Sequence, residues 1–184
     1  MINKNRTLFI TLGVAALAAT GYMFYSNRKS IPDGAAAITG FDKSRYLGKW
    51  YEIARLDFRF EKNLNNTTAE YSLNDDGTIK VVNRGFNYKE NKWKEAIGKA
   101  KFAGPQDVAM LKVSFFGPFY SGYNVIAIDD DYRYALVAGE SLKYLWILSR
   151  EQTVPEEIKQ QYLTLAESIG YKTQELVWPE HDKH

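Results

Sequence analysis

From Lys49 onward, apolar and polar side chains alternate in short runs, the period-two signature of half-buried β-strands, and turn residues interrupt the runs about every ten positions. The runs extend from Lys49 to about Phe58, Thr67 to Leu73, Thr78 to about Phe86, Lys92 to Phe102, Val108 to Phe115, about Tyr120 to Ile128, Tyr132 to Ala138, and Tyr144 to Arg150. Asn74-Asp75-Asp76-Gly77 is a tight hairpin turn, and Asn87 to Asn91, Gly104 to Asp107 and Asp129-Asp130-Asp131 close other hairpins. The pattern predicts eight antiparallel strands in meander order, an all-β barrel or sandwich. The period then lengthens: Ile158, Tyr162, Leu165 and Ile169 fall on one helical stripe, with Thr153 as expected N-cap, Pro155 in the first turn and Gly170 just past the end. One amphipathic helix is therefore predicted to pack on the outside of the sheet, with Tyr171 to Trp178 returning as an extended segment.

The alternation also sorts the faces of each strand. Charged Glu95, Lys99 and Lys101 turn Ala96, Gly98, Ala100 and Phe102 inward, and Glu70 and Ser72 do the same for Thr67, Ala69, Tyr71 and Leu73. Lys112 and Ser114 leave Leu111, Val113 and Phe115 inside, while Lys80 and Arg84 leave Ile79, Val81, Asn83 and Gly85 inside. The inner faces thus mix bulky apolar groups with Ala and Gly. A filled sandwich core would want volume at those positions, so the small residues predict a hollow, and eight strands suffice to enclose one small ligand.

Ahead of the strands, Lys4 and Arg6 precede an apolar run over residues 7–25, followed by Arg28 and Lys29. That run matches the ~20 residues a helix needs to cross a bilayer. A cleaved signal peptide would use Ala16-Leu17-Ala18. The apolar character continues through Tyr22-Met23-Phe24-Tyr25, which favours an uncleaved membrane helix and an exported, periplasm-facing domain. The expected organisation is a membrane anchor or signal segment over 1–29, a linker over 30–40, a barrel with its helix over 41–178, and a disordered tail over 179–184. Among the 184 residues, 24 Lys and Arg face 22 Asp and Glu in interspersed order, which argues against a nucleic-acid partner. There is no cysteine, so disulfides, thiolate metal sites and thiol catalysis are excluded.

Three motifs carry a family resemblance. They are Gly48-Lys49-Trp50-Tyr51-Glu52-Ile53-Ala54-Arg55, the pair Asp129 and Tyr132 in the penultimate turn, and Arg150 after Trp146-Ile147-Leu148-Ser149. With Phe58-Arg59-Phe60-Glu61 and Leu111 to Tyr120, they resemble the lipocalins, specifically the bacterial outer-membrane lipoprotein type, over Phe41 to Trp178. The resemblance implies an eight-stranded antiparallel up-and-down barrel with one C-terminal helix outside. Gly48, Trp50 and Arg150 would form its floor, the guanidinium lying across the indole. The opposite end would then be the mouth, holding Phe58, Arg59, Phe60, Phe116, Phe119 and Tyr120. In one respect the chain departs from the pattern: where that type carries an acylated cysteine, it reads Leu17-Ala18-Ala19-Thr20-Gly21. Lipoprotein anchoring is therefore not expected, and attachment falls to residues 7–25.

The family further implies a bound fatty acid or lysophospholipid, supporting membrane maintenance or lipid transport. Ala69, Tyr71, Val81, Ala96, Ala100, Leu111, Val113, Phe115, Val125 and Trp146 are expected along the acyl chain. Asn83, Tyr123 and Tyr144, with Arg59 or Lys62 at the mouth, are the candidate headgroup contacts. The mouth aromatics could instead meet a bilayer or a second copy in a homodimer. A lipid-modifying enzyme is disfavoured, because both histidines lie in the C-terminal tail, no Gly-x-Ser-x-Gly elbow occurs, and Glu52, Asp57 and Glu61 read as surface or loop ion-pairing groups. A pigment or tetrapyrrole carrier would have only tyrosines to offer as axial ligands. No metal or cofactor is expected.

Overall fold

The period-two runs form strands, and the pairing closes them. The computed structural model describes residues 30–58 and 61–182. Strands β1 (Gly48–Leu56), β2 (Leu64–Leu73), β3 (Ile79–Asn87), β4 (Lys92–Phe102), β5 (Met110–Phe116), β6 (Phe119–Ile128), β7 (Tyr134–Gly139) and β8 (Leu145–Ser149) pair antiparallel in chain order. β1 pairs with both β2 and β8, closing the barrel. A two-residue strand β9 (Leu176–Val177) adds to β1 at Leu56 and Arg55 after a 3₁₀ turn, so the predicted extended return is a 3₁₀ turn and a short strand. The predicted membrane segment over 7–25, and Arg59 and Phe60, lie outside the described residues.

Helix α1 (Lys43–Tyr46), too short to be legible as a period, plugs one end of the barrel. Helix α2 (Glu156–Ile169) lies outside, its Tyr162 and Ala166 buried with Leu136, Ala138, Leu145 and Ile147 of the wall. Its N-cap is Pro155, with no capping side chain; Thr153, the expected cap, instead accepts a hydrogen bond from Ser149 Oγ at its carbonyl. A second buried cluster fills the lower barrel around Trp50, Tyr46, Phe41 and Leu148.

Two segments expected to be loose are laid against this frame. In residues 30–40, Ile38 exchanges backbone hydrogen bonds with Val125 and Ala109, and the Ser30 carbonyl accepts from Asn124 Nδ2. In the tail, Glu180 and Asp182 bond Asn65 and Asn66, and His181 Nε2 lies 2.8 Å from the Glu52 carbonyl. The disorder expected of the tail is thus not found through residue 182, because the left-handed backbone of Asn66 (φ 53°) turns its donors and acceptors toward the tail. Leu73, expected inward, is 52% exposed at the C-terminal end of β2.

Candidate functional site

The floor is built first. Gly48 adopts φ +95°, a conformation costly for any residue with a Cβ, and a Cβ there would lie 3.4 Å from Arg150 Nη1. That turn delivers Trp50 to the axis, where it is fully buried and donates from Nε1 to the Tyr46 carbonyl at 2.8 Å. Arg150 lies over the indole, its Cζ 3.9 Å from the ring centroid. The same guanidinium donates to the carbonyls of Lys49 (2.8 Å), Arg45 (2.7 Å) and Leu47 (3.0 Å), satisfying acceptors that a four-residue helix leaves orphaned at its C-terminus. At the β6–β7 turn, Asp129 Oδ1 accepts from Arg133 and Tyr134 amides, and the Tyr132 hydroxyl accepts from the Asp42 amide. The motif residues therefore seal one end of the barrel.

Above the floor the barrel is hollow. A cavity of about 810 Å³ is lined by Tyr71, Val81, Asn83, Ala96, Ala100, Leu111, Val113, Phe115, Tyr123, Tyr144 and Trp146, with Phe58, Phe116 and Phe119 toward the mouth. Phe58 stands edge-on to Tyr144 and Trp146, which stack on each other at 12°. The cross-strand row Ala69, Asn83 and Ala96 places small side chains on either side of Asn83. Two residues expected in the lining are packed instead: Ala69, opposite Trp50, and the fully buried Val125 belong to the core cluster around Trp50 and do not line the void. Tyr120 also leaves the mouth, because its ring lies under Lys101 Nζ at 4.6 Å on the outer face.

The polar atoms of the cavity are few and placed at two depths. Near the floor, the Tyr123 hydroxyl bonds those of Tyr46 (2.6 Å) and Tyr71 (2.7 Å), and burial raises the pKa of all three phenols. Three O–H donors with two bonds among them leave one proton to offer a ligand. Higher up, Asn83 Oδ1 is buried with no hydrogen-bond partner.

At the mouth, Glu61 lines the void and accepts from Trp146 Nε1 at 3.1 Å. Behind it lies a charge cluster that alternation does not reveal. A bulge between Glu52 and Ala54 inserts one residue and brings Glu52 and Arg55 onto the same face. Arg55, 1% exposed, pairs with Glu52 at 2.6 Å and Asp57 at 3.3 Å, and donates to the Glu61 carbonyl at 2.7 Å. Glu52 and Glu61 are thus not the surface carboxylates expected from the sequence. Burial, then the charge of Glu52, lifts the Glu61 carboxyl well above the usual carboxylate range. Burial lifts Glu52 as well, against the pull of Arg55. One guanidinium thus serves three carboxylates, and of these Glu61 is the one that faces the void with its affinity for a proton raised.

A sealed floor, an open mouth and a mostly apolar void define a barrel that takes a small hydrophobic ligand. The chain belongs to the lipocalins: the family model for the lipocalin-like domain matches residues 41–181. It is 50% identical over 165 residues to the outer membrane lipoprotein Blc of Citrobacter freundii, covering 90% of this chain and 93% of that protein. Identity to the Blc of Escherichia coli (strain K12) is 48% over the same length and coverage. Among solved structures, insecticyanin from the tobacco hornworm Manduca sexta superposes with a TM-score of 0.68 at 18% identity, over 83% of this chain and 87% of that one.

Proposed function

We propose that the barrel binds one single-chain lipid, a fatty acid or lysophospholipid, and holds or carries it in the cell envelope. The observation that supports this most is the void itself, about 810 Å³, walled by Val81, Leu111, Val113 and aromatic rings with few polar atoms. Each methylene moved from water to such a wall contributes about 0.8 kcal/mol, enough over a chain to offset the cost of association. The headgroup rests at the mouth beside Glu61, whose raised proton affinity lessens repulsion of a carboxylate or phosphate, and Asn83 Oδ1 accepts from a hydroxyl further in. The role is binding without turnover, since Glu52 and Asp57 are committed to Arg55.

Envelope placement is inferred from the similar proteins, which are named outer membrane lipoproteins. A thioether-linked lipid needs a cysteine, and the chain has none, so attachment is assigned to the apolar run over 7–25. Deleting residues 2–29 should release the protein from membranes. The binding test is titration of delipidated protein with a fatty acid and with a lysophospholipid. Saturation at one ligand per chain is expected; no saturable binding of either would overturn the reading, and hydrolysis of the bound lipid would favour an enzyme instead.

A further inference from the structure

Two ladders of the barrel end before their strands do: β1–β2 stops at Tyr51 opposite Thr68, where the C-terminal segment covers the gap through Glu180 and Asp182 on Asn66 and His181 on Glu52, and β4–β5 stops with no described segment paired across it. β4 pairs with β3 along its length, from Ile79 opposite Ala100 to Asn87 opposite Lys92. On its other edge the ladder to β5 stops at Lys99 opposite Ser114. Both strands continue past that rung toward the mouth, β4 back to Lys92 and β5 on to Phe116. Extending the register would set Gly98 opposite Phe115 and Ile97 opposite Phe116, but those rungs are not made. A register shift between Val113 and Phe116 bends β5 against β6 at the same height.

The cavity passes through this seam. Neighbouring residues of a strand face opposite sides of the sheet, yet Lys94 and Glu95 both line the void, and so do Phe115 and Phe116. The Glu95 carboxylate sits on the outer surface, bonded to Arg84 Nε at 2.6 Å. A cavity that touches both faces of β4 must run around its edge. The rim of the opening is apolar: Ile97 is 56% exposed, Phe116 69% and Phe119 65%. The Phe115 ring occupies the place of the first missing rung, since a Cβ on Gly98 would lie 2.8 Å from its Cδ1 and Cε1. Only glycine allows the ring to rest there.

We propose that the seam between β4 and β5 is a side entrance through which the acyl chain swings into the barrel, with Phe115 as its latch. This rests on the lipid-binding reading above and names the route. Threading a lipid end-on through the mouth would carry either its charged head or its full extended chain past the rim. A sideways swing keeps the headgroup hydrated while the methylenes slide along Ile97, Phe116 and Phe119, so the cost of stripping water from a charge is avoided.

The chain contains no cysteine, so a thiol pair can be placed without background. In the full-length protein, Ile97→Cys with Phe116→Cys staples the two edges on oxidation; where the disulfide does not close, bismaleimidoethane bridges the same thiols. Transfer of cis-parinaric acid from phosphatidylcholine vesicles is followed by stopped-flow fluorescence, with the affinity measured at equilibrium. Against the reduced form of the same double variant, stapling is expected to slow uptake and release together by about tenfold or more, reductant to restore the disulfide form, and Phe115→Ala to accelerate both rates. Stapled and open protein exchanging at rates within about twofold, with binding intact, would overturn the side entrance and leave the binding reading standing. Absence of saturable cis-parinaric acid binding in the unstapled protein would mean that the binding reading itself had failed.

Discussion

Along β7, from Tyr134 to Gly139, every residue is buried, whereas β4 is exposed from Lys92 to Ile97. Both strands belong to the same closed sheet and differ in what lies on either side of them. β7 has the floor cluster on its inner face and α2 on its outer face, so Leu136 and Val137, though pointing opposite ways, are both fully buried. β4 has the void on one side and water on the other, and half of one edge is unzipped. The contrast sets the buried side chains, and with them most of the folding free energy, at β7, and the proposed lipid route at β4. A ligand can pass a wall that contributes little to stability; it could not pass one that holds the core together.

Substitutions on the packed side should break the fold first. Arg55→Ala leaves Glu52 buried without its cation and is expected to cost about 3–5 kcal/mol, read by chemical denaturation. The double variant Glu52→Gln with Arg55→Met should recover most of that loss, because it removes both charges together. Trp50→Ala should cost about 3–5 kcal/mol and lower the melting temperature without changing which lipids bind, since the indole lies in the floor cluster beneath the cavity. An unchanged melting temperature with binding abolished would place Trp50 in the ligand site instead.

On the open side the effects should move from stability to binding. Ala96→Trp projects a ring into the void from a position already in contact with solvent, and should weaken lipid binding by more than about tenfold while shifting stability by no more than ~1 kcal/mol. Ile97→Ala, on the rim, should alter stability by only ~0.5 kcal/mol.

Glu61 stands between the two regions and gives a pH test. Its folded pKa is raised, so the folded state holds a proton that the unfolded chain releases above about pH 4.3. The contribution from this carboxyl is therefore favourable at low pH and is lost as pH rises toward its folded pKa. Glu61→Gln should leave stability nearly unchanged at pH 4 and raise it at pH 8 relative to the parent. A difference that does not grow with pH would show that Glu61 is ionised in the fold.

Much of this was legible in the residues. Alternation of Lys80, Arg84, Lys99 and Lys101 with small inner residues pointed to a hollow sheet, and Gly48, Trp50 and Arg150 marked the floor on which they meet. What was not legible depended on pairing between distant segments. The bulge that turns Glu52 and Arg55 to one side is defined by β8, more than ninety residues away in sequence, so period-two reading left Glu52 on the surface. The early end of the β4–β5 ladder has no local signal beyond Gly98. Ala69 and Val125 looked like cavity wall because parity reports the face of a strand and not what packs over it. The α1 helix is a single turn, too brief for any period.

The measurement that bears most directly on the account is native mass spectrometry of the delipidated protein and its Ala96→Trp variant, each incubated with lysophospholipid. One lipid per parent chain and none on the variant, with both folded, is the expected result. Equal lipid occupancy of the two proteins would contradict it, because the lipid would then be bound somewhere other than the void.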